Sequence, residues 1–285
     1  MVTFLPTPIG NLNDISLRTL SALNTCEIVI CEDTRVTSKL LNLLAKMPII
    51  TQNYPQIDSK NKRFLSFHSH NQHDFLAKLD KNEFGYDFFD KEIVFCSDAG
   101  LPNISDPGAV FLHFLRQKNI KYEILLGGSA FSHAFVCSGL EGSFCFLGFL
   151  PHKHHDRIES LRHASKFHAD LHIIYYESPH RLRESLSDIS SVFLESKIYL
   201  YKELTKLYEC EYIGTASQIL EALPLEILGE YCIIIEKDSK EVSKFITLGV
   251  DEIMNLSINV KEKCKLLAKI TDKSSSEWYD ILGKN

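Results

Sequence analysis

The stretch best suited to bind a ligand runs from residue 95 to residue 108 and reads FCSDAGLPNISDPG. An apolar run, Ile93–Cys96, overlaps its start and predicts a buried strand. Apolar residues at helical spacing follow from 109 to 118, so the small and polar residues connect a strand to a helix. Ligands of α/β proteins bind beyond the carboxyl ends of the strands. This connection is therefore either a ligand-binding turn or an ordinary long loop.

Two further strand ends carry charged or histidine side chains. Glu32, Asp33 and Arg35 follow an apolar run, and a carboxylate pair beside an arginine could act on a substrate. The same residues could also form a local ion pair, with Asp33 capping the next helix. His68 and His70 would share one face of a strand, which makes a metal pair conceivable. Without a nearby third ligand, hydrogen bonding or core packing explains these histidines better.

Residues 151 to 183 are richer in basic and histidine residues than the rest of the chain. They contain six Lys or Arg, four acidic residues and seven of the twelve histidines. This bias suits contact with phosphates, although a solvated helix face would have the same composition. One cluster within it could bind a metal: His152, His154, His155 and Asp156. Consecutive polar residues on a loop are usually solvated, so no metal site is predicted.

The bulk properties favour a two-domain protein of the cytoplasm. A chain of 285 residues with 45% hydrophobic residues can fill two cores. A net charge of −6 argues against a broadly basic nucleic-acid coat, but not against a local basic face. Eight cysteines without a C-x-x-C pair suggest reduced thiols. Because no leader or membrane-spanning run is evident, we expect no membrane partner.

Strands and helices are predicted to alternate along most of the chain. Short apolar runs predict strands at 2–5, 27–31, 64–71, 93–96, 122–126, 144–150, 171–176, 197–201 and 230–236. Helical spacing predicts helices at 14–23, 34–46, 72–90 with an interruption at Gly85, 109–118, 131–138, 157–167 and 215–223. Residues 51–63 are expected to form a loop. The pattern indicates the α/β class, followed by a polar helical tail from 238.

Capping residues mark several of these helix starts. Ser105 or Asp106 is expected to cap the helix at 109, with Pro107 in its first turn. Ser178 and Pro179 suggest a similar start further along the chain. The sequence TASQ at 215–218 has the spacing of a capping box.

The strand-end turns, taken as a set and in this order, resemble the tetrapyrrole methylase superfamily and, within it, enzymes that act on small-subunit ribosomal RNA. The motifs are PTPIGN at 6–11, EDTR at 32–35, SDAG and ISDPG within 97–108, GFLP at 148–151, YESPHR at 176–181 and ELTK at 203–206. The resemblance covers about residues 3 to 236. Each motif is weak alone, whereas the combination is specific.

The resemblance implies two α/β domains, at 1–126 and 127–237, with S-adenosylmethionine in the cleft between them, and a tail at 238–285. It implies a homodimer that methylates the ribose 2′-hydroxyl of a decoding-site cytidine, so the partner would be 16S rRNA or the small ribosomal subunit. A tetrapyrrole methyltransferase and a non-catalytic RNA-binding module remain alternatives. Steep loss of RNA affinity with salt would favour RNA as the substrate over a tetrapyrrole.

The resemblance also implies which residues approach the cofactor. They are expected to be Pro8, Asp98, Ala99, Gly100, Ile104, Ser105, Ser129, Ala130 and Tyr176. The chain departs from the family pattern at several of its turns. It has LGGSA at 126–130 where members usually have PGPSA, and Leu101, Asn103 and Lys202 replace a usual threonine, glycine and arginine.

Methyl transfer to a hydroxyl needs alignment above all, and a base for the hydroxyl proton would add about 10²- to 10⁴-fold. Glu177, Lys202 and Glu203 end strands expected to be neighbours, and they are the candidates for that base. The residues expected to hold RNA phosphate or sugar are Asn11, Arg35, His180, Arg181 and Lys206. The alternative is that Glu177 and Glu203 only orient Arg181 and the lysines.

Overall fold

A computed structural model describes residues 1–238 and 249–282 of the chain. The chain divides into two compact units, residues 1–238 and residues 239–285. The first unit contains two five-stranded sheets, one in each half of its sequence. The chain is thus an α/β protein with two sheets, as the alternating pattern predicts.

The first sheet is entirely parallel. Its strands are β1 (Val2–Phe4), β2 (Ile28–Cys31), β3 (Arg63–Ser66), β4 (Ile93–Cys96) and β5 (Tyr122–Ile124), in the order β3-β2-β4-β1-β5. The helices of this half are α1 (Leu17–Thr25), α2 (Thr34–Leu44), α3 (Pro48–Asn53), α4 (Gln72–Asp80) and α5 (Ala109–Gln117). Because parallel strands share a direction, all five carboxyl ends meet at one edge.

Both faces of the first sheet are buried, which explains why its strands read as continuous apolar runs. One face packs leucines of α1 and α2, among them Leu23 and Leu41, against Val29. The other face packs an aromatic cluster against α4 and α5, and its members include Phe67 and Phe111. These two layers hold the strand ends, and therefore the turns that follow them, in fixed positions.

The second sheet is mixed. Its strands are β6 (Phe144–Phe149), β7 (His172–Glu177), β8 (Ile198–Lys202), β9 (Cys210–Gly214) and β10 (Tyr231–Ile235), in the order β6-β7-β10-β8-β9. β6 and β7 are parallel, whereas the other neighbouring pairs are antiparallel. Its helices are α6 (Ala130–Ser138), α7 (His154–Ser165), α8 (Leu182–Val192) and α9 (Ala216–Ala222). β10 lies between β7 and β8, so the expectation that these two strands are neighbours was wrong.

A β-bulge interrupts the pairing of β6 with β7. Phe146 pairs with Ile174 and Phe149 pairs with Tyr176, so β6 contains one more residue than β7 between these two pairs. Gly148, inside the bulge, has a φ of 72°, which only glycine adopts without strain. The bulge determines which face of the sheet receives the side chain of Phe149.

Most strands begin and end within one to three residues of the sequence prediction, but some elements differ. β9 was not predicted, because it is an edge strand whose residues are mostly exposed. Residues 51–53 belong to α3 rather than to a loop. β3 ends at Ser66, so His68 and His70 lie beyond the strand. The long helix expected over 72–90 ends at Asp80.

Two predicted helix caps were also wrong. α5 begins at Ala109 with Gly108 at its N-cap, so neither Ser105 nor Asp106 caps it. α8 begins at Leu182 with Arg181 at its N-cap, three residues after Ser178. In both places the polar residues belong to the preceding turn, where their side chains make other contacts. The predicted capping box of α9 at Thr215 was confirmed.

The second unit contains three described helices, α10 (Val250–Asn255), α11 (Val260–Ile270) and α12 (Ser275–Leu282). Ile253, Cys264 and Leu267 are buried within it. The helical prediction for the tail is confirmed over these ranges, whereas residues 239–248 and 283–285 lie outside the described part. Among the described residues, no helix combines the length and the hydropathy needed to cross a bilayer.

Candidate functional site

A cavity of about 420 Å³ lies between the carboxyl edge of the first sheet and one face of the second. Its wall on the first half is the turn after β4, from Ser97 to Asp106, with Glu32 after β2. On the second half, Tyr176, Tyr201 and Cys232 come from three neighbouring strands of one sheet face. The volume falls within the range of small-molecule sites.

The turn after β4 is held against the turn after β1. Thr7 and Gly100 exchange both backbone hydrogen bonds, at 2.9 and 3.0 Å, and the Thr7 hydroxyl donates to the carbonyl of Ser97 at 3.2 Å. Gly100, Asn103 and Ser105 have φ angles of 80°, 75° and 67°. These left-handed conformations fold the turn at residues 97–106 into a concave backbone segment along the cavity, which we call the cradle. Such conformations often occur at binding sites.

Eight of the nine predicted cofactor contacts line this cavity. On the first half they are Asp98, Ala99, Gly100, Ile104 and Ser105, and on the second half they are Ser129, Ala130 and Tyr176. Pro8 is the exception, although its neighbour Ile9 lines the cavity. The residues that the motifs single out are therefore gathered at one place in the fold.

Three half-buried carboxyl groups make the first-half wall acidic: Glu32, Asp98 and Asp106. Burial raises the pKa of each carboxyl, and the neighbouring carboxylates raise it further. Asp98 accepts the backbone N–H of Asp33 at 3.1 Å, and Asp106 accepts that of Asn103. Since like charges crowd here, a cationic ligand group would be stabilised beside them.

The start of α6 closes the cavity from the second half. Ser129 occupies its N-cap position, and the Ser129 hydroxyl lies 3.1 Å from that of Ser132. The Tyr176 hydroxyl accepts the backbone N–H of Phe131 at 2.9 Å, which fixes the helix start to β7. The neighbouring hydroxyl of Tyr201 is buried and has no hydrogen-bond partner within the described chain. A buried polar atom without a partner at a cavity is a candidate ligand contact.

Glu177 lines the cavity and is only 1% exposed. Its carboxylate accepts hydrogen bonds from the Ser178 amide at 2.7 Å and from the Ser185 hydroxyl, and Arg181 Nη2 lies 2.6 Å from Oε1. Arg181 also donates from Nη1 to the Leu150 carbonyl at 3.0 Å. Both groups are thus occupied by contacts within the protein, and Arg181 does not line the cavity.

The turn after β8 brings a cation to the cavity. Lys206 Nζ lies 2.9 Å from Glu203 Oε1 and 2.8 Å from Glu230 Oε2. Burial would lower the pKa of Lys206, but the hydrogen bonds to these two carboxylates outweigh it and the pKa is raised. Lys206 and Glu230 line the cavity, whereas Lys202 and Glu203 do not.

Glu203 is the partner that positions this cation. Burial would raise the pKa of its carboxyl, but the hydrogen bonds from Lys206 and from the Glu230 amide, together with nearby lysine charges, lower it. Glu203 and Thr205 have φ angles of 51° and 65°, so the turn is tightly folded. A carboxylate with a lowered pKa is a weak proton acceptor and a good anchor for an ammonium group.

The first and second halves also meet next to this turn. The Asn11 amide donates to the Thr205 hydroxyl at 3.1 Å. A side chain at Gly10 would overlap Lys206 Cγ at 2.5 Å, so glycine is needed there for the close approach. The turn at residues 6–11 therefore contacts both the cradle at Gly100 and the turn that carries Lys206.

The remaining predicted RNA contacts lie away from the cavity lining. Arg35 has an 89% exposed side chain and pairs with Asp33 at 2.6 Å, and this bond holds the pKa of Asp33 at about 2. The Asn11 carboxamide accepts the Asn13 amide, and His180 is exposed. These three residues are therefore exposed at the surface, and none of them lines the cavity.

The described residues contain no cluster of histidine, cysteine or carboxylate groups that could hold a metal ion. The rings of His68 and His70 are 6.0 Å apart. In the second histidine cluster, His154 pairs with Asp188, and His155 lies near Asp156 and Glu159.

Sequence reasoning missed several residues that line the cavity, namely Ile9, Phe149, Tyr201, Leu204 and Cys232. Phe149 belongs to the GFLP motif, whose glycine signals an irregular backbone. Tyr201 immediately precedes Lys202, but a single sequence cannot show that its hydroxyl is buried without a hydrogen-bond partner in the described chain.

Comparison with known families and structures gives one consistent result. Residues 1–228 match the family model of the tetrapyrrole (corrin/porphyrin) methylases. The chain is 41% identical to the ribosomal RNA small subunit methyltransferase I of Helicobacter pylori strain J99, over 98% of this chain and 96% of that protein. It is 40% identical to the protein of the same name from Campylobacter fetus, over 99% of each.

Solved structures share the fold at low sequence identity. The methyltransferase CobJ superimposes with a TM-score of 0.57 at 13% identity, covering 87% of this chain and 96% of its own. Diphthine synthase gives 0.56 at 14% identity, covering 83% and 90%. These likenesses concern the fold alone.

Proposed function

The chain belongs to the tetrapyrrole methylase family, and on that basis we propose that it methylates the ribose 2′-hydroxyl of a decoding-site cytidine in 16S rRNA. Methyl transfer from S-adenosylmethionine is the chemistry of this family. Two relatives at 40–41% identity over nearly the full length carry the name of a small-subunit ribosomal RNA methyltransferase. That similarity is the observation on which the RNA substrate depends.

The residues of the cavity fit S-adenosylmethionine, which supplies a methyl group already activated by its sulfonium charge. We propose that the cradle at Asp98, Ala99, Gly100, Ile104 and Ser105 holds it, with Pro8 close by and Ser129, Ala130 and Tyr176 on the opposite side. The acidic wall suits its positive charges, and the buried Tyr201 hydroxyl offers an unused hydrogen bond. The expected result is micromolar or tighter binding by calorimetry.

The turn at 203–206 is proposed to act on the ribose and its phosphates. Lys206 is held at the cavity as an ammonium group by Glu203 and Glu230. Two of the three N–H groups of that ammonium donate to these carboxylates, and we propose that the third donates to the 2′ oxygen as negative charge develops on it. Of the three candidate bases, we propose that Glu203 positions Lys206 and that Glu177 positions Arg181. Lys202 does not line the cavity, so none of the three is assigned the proton transfer.

The surface residues Asn11, Arg35 and His180 are proposed to contact RNA outside the cavity, together with the basic segment at 151–183. Arginine suits phosphate because its guanidinium can bind in two-pronged fashion. We propose that the enzyme works in the cytoplasm as a homodimer, with 1–126 and 127–237 as its domains. Light scattering tests the dimer.

The experiment that tests the function uses labelled S-adenosylmethionine and small ribosomal subunits lacking the modification. Nuclease mapping should place the label on a single 2′-O-methylcytidine in the decoding site. Label on a base, or at another nucleotide, would contradict the proposal. Transfer to a tetrapyrrole without RNA methylation would favour the first rival, and salt-sensitive RNA binding without transfer would favour a non-catalytic module.

A further inference from the structure

Phe149 is a large aromatic side chain that is half exposed while it lines the cavity. Its exposed fraction is 51%, and its ring meets that of Tyr176 at a centroid distance of 5.5 Å and an angle of 64°. Tyr176 in turn contacts Phe146 at 4.8 Å. Phe149 is therefore backed by a packed aromatic cluster on one side and open on the other.

The bulge in β6 is what brings this ring to the cavity. Alternate residues of a strand point to opposite faces, so Phe149, three positions after Phe146, would normally face away from it. The extra residue changes this count, and Phe149 pairs with Tyr176 on the face that Phe146 shares. Bulges often redirect a side chain beside an active site.

The backbone after Phe149 is fixed by two arginines. Arg181 donates to the Leu150 carbonyl at 3.0 Å, and Arg157 donates to the His152 carbonyl at 3.1 Å. Each guanidinium is balanced by a carboxylate, Arg181 by Glu177 and Arg157 by Asp188, both at 2.6 Å. The ring is thus held on a rigid support, although it is half exposed.

The opposite wall defines what the ring can face. A Cβ built on Gly148 would lie 3.7 Å from the Ser105 hydroxyl, so the bulge approaches the cradle across the cavity mouth. The ammonium of Lys206 lines the same cavity. An open aromatic ring and a cation at one site are the means by which proteins hold an unpaired nucleotide.

From this geometry we propose that Phe149 is the stacking platform for the target nucleobase, which is flipped out of the RNA and laid on the open face of the ring. The inference rests on the proposed function and adds the residue whose ring stacks on the base. Because the ring is 51% exposed, a nucleobase of bound RNA can reach it from the solvent. The adenine of the cofactor is also a flat heterocycle, and the cofactor affinity of the variants distinguishes the two.

The test compares Phe149→Leu, which keeps bulk but removes the aromatic face, with Phe149→Trp, which keeps stacking. Tyr86→Leu is the control, because it also removes an exposed aromatic ring, while Tyr86 does not line the cavity and lies outside the segment 151–183 proposed to contact RNA. Each variant is assayed with small subunits at saturating S-adenosylmethionine. Cofactor affinity is measured separately by calorimetry, and melting curves confirm folding.

The leucine variant should lose about 5- to 150-fold in kcat/KM for the RNA, the range that base stacking on an aromatic side chain supplies. Its cofactor affinity should stay unchanged, and the tryptophan and control variants should remain close to wild type. Equal activity of Phe149→Leu and wild type would overturn the inference while leaving the proposed function standing. So would a loss confined to cofactor affinity, which would assign the ring to adenine. A wild-type protein that binds the cofactor but does not methylate the subunit would refute both.

Discussion

Replacing Glu177 by alanine should destabilise the protein far more than it impairs the chemistry. The substitution removes the acceptor of three short contacts and leaves Arg181 without its carboxylate, and Arg181 itself is largely buried. Breaking a buried ion pair in this way costs about 3–5 kcal/mol. For a unit of 150–250 residues each kcal/mol lowers Tm by roughly 2–4 °C, so a fall of about 6–20 °C is expected.

The assay is urea unfolding together with a melting curve, followed by methyl transfer at a temperature well below the new Tm. Glu184→Ala is the control, because Glu184 is exposed and its 3.4 Å contact with the buried Arg157 is not the main one: Arg157 keeps Asp188 at 2.6 Å. Loss of such an exposed carboxylate should cost about 0–1 kcal/mol. Stability near wild type with a loss of about 10²- to 10⁴-fold in kcat would refute the reasoning, because that pattern identifies a general base.

Further predictions concern the opposite wall and the turns. Glu203→Ala should abolish methyl transfer but leave cofactor affinity near wild type by calorimetry; retained turnover would remove it from the mechanism. Glu32→Gln should raise Tm at pH 8, because burial and neighbouring carboxylates raise the pKa of Glu32 in the folded state and so disfavour its charged form. That gain should disappear as pH falls below the ordinary glutamate pKa; a gain persisting at pH 3 would contradict the explanation. Gly127→Ala should lower Tm, because the added Cβ would lie 2.1 Å from Pro6 Cβ and overlap it. Gly128→Ala is the control, because a Cβ there has open space and should leave Tm unchanged. Equal Tm values for the two variants would show that the overlap with Pro6 is relieved without cost.

The framework of the fold could be predicted because its information is local. β4 and β10 are continuous apolar runs, and a run of this kind predicts a buried strand without knowledge of its neighbours. The same locality explains the correct capping box at Thr215. β9 escaped prediction because an edge strand with mostly exposed residues carries little apolar signal.

The site was predictable where it consists of turns and unpredictable where it depends on cross-strand register. Glycine, proline and small polar residues marked the cradle around Gly100. The position of Phe149 depends on one extra residue opposite β7, which no property of β6 alone reveals. Likewise, Ser178 looks like a helix cap in sequence, but its backbone N–H is bound to the buried carboxylate of Glu177.

The turn at residues 6–11 has a consequence for the order of binding. It is hydrogen-bonded to Gly100 on one side and to Thr205 on the other, so it connects the cofactor-binding turn to the turn that carries Lys206. A methyl donor that orders the cofactor-binding turn would therefore also reduce the motion of the turn that holds the nucleic acid. We expect the donor to enter first, and its demethylated product, by leaving the cradle, to loosen the hold on the finished RNA.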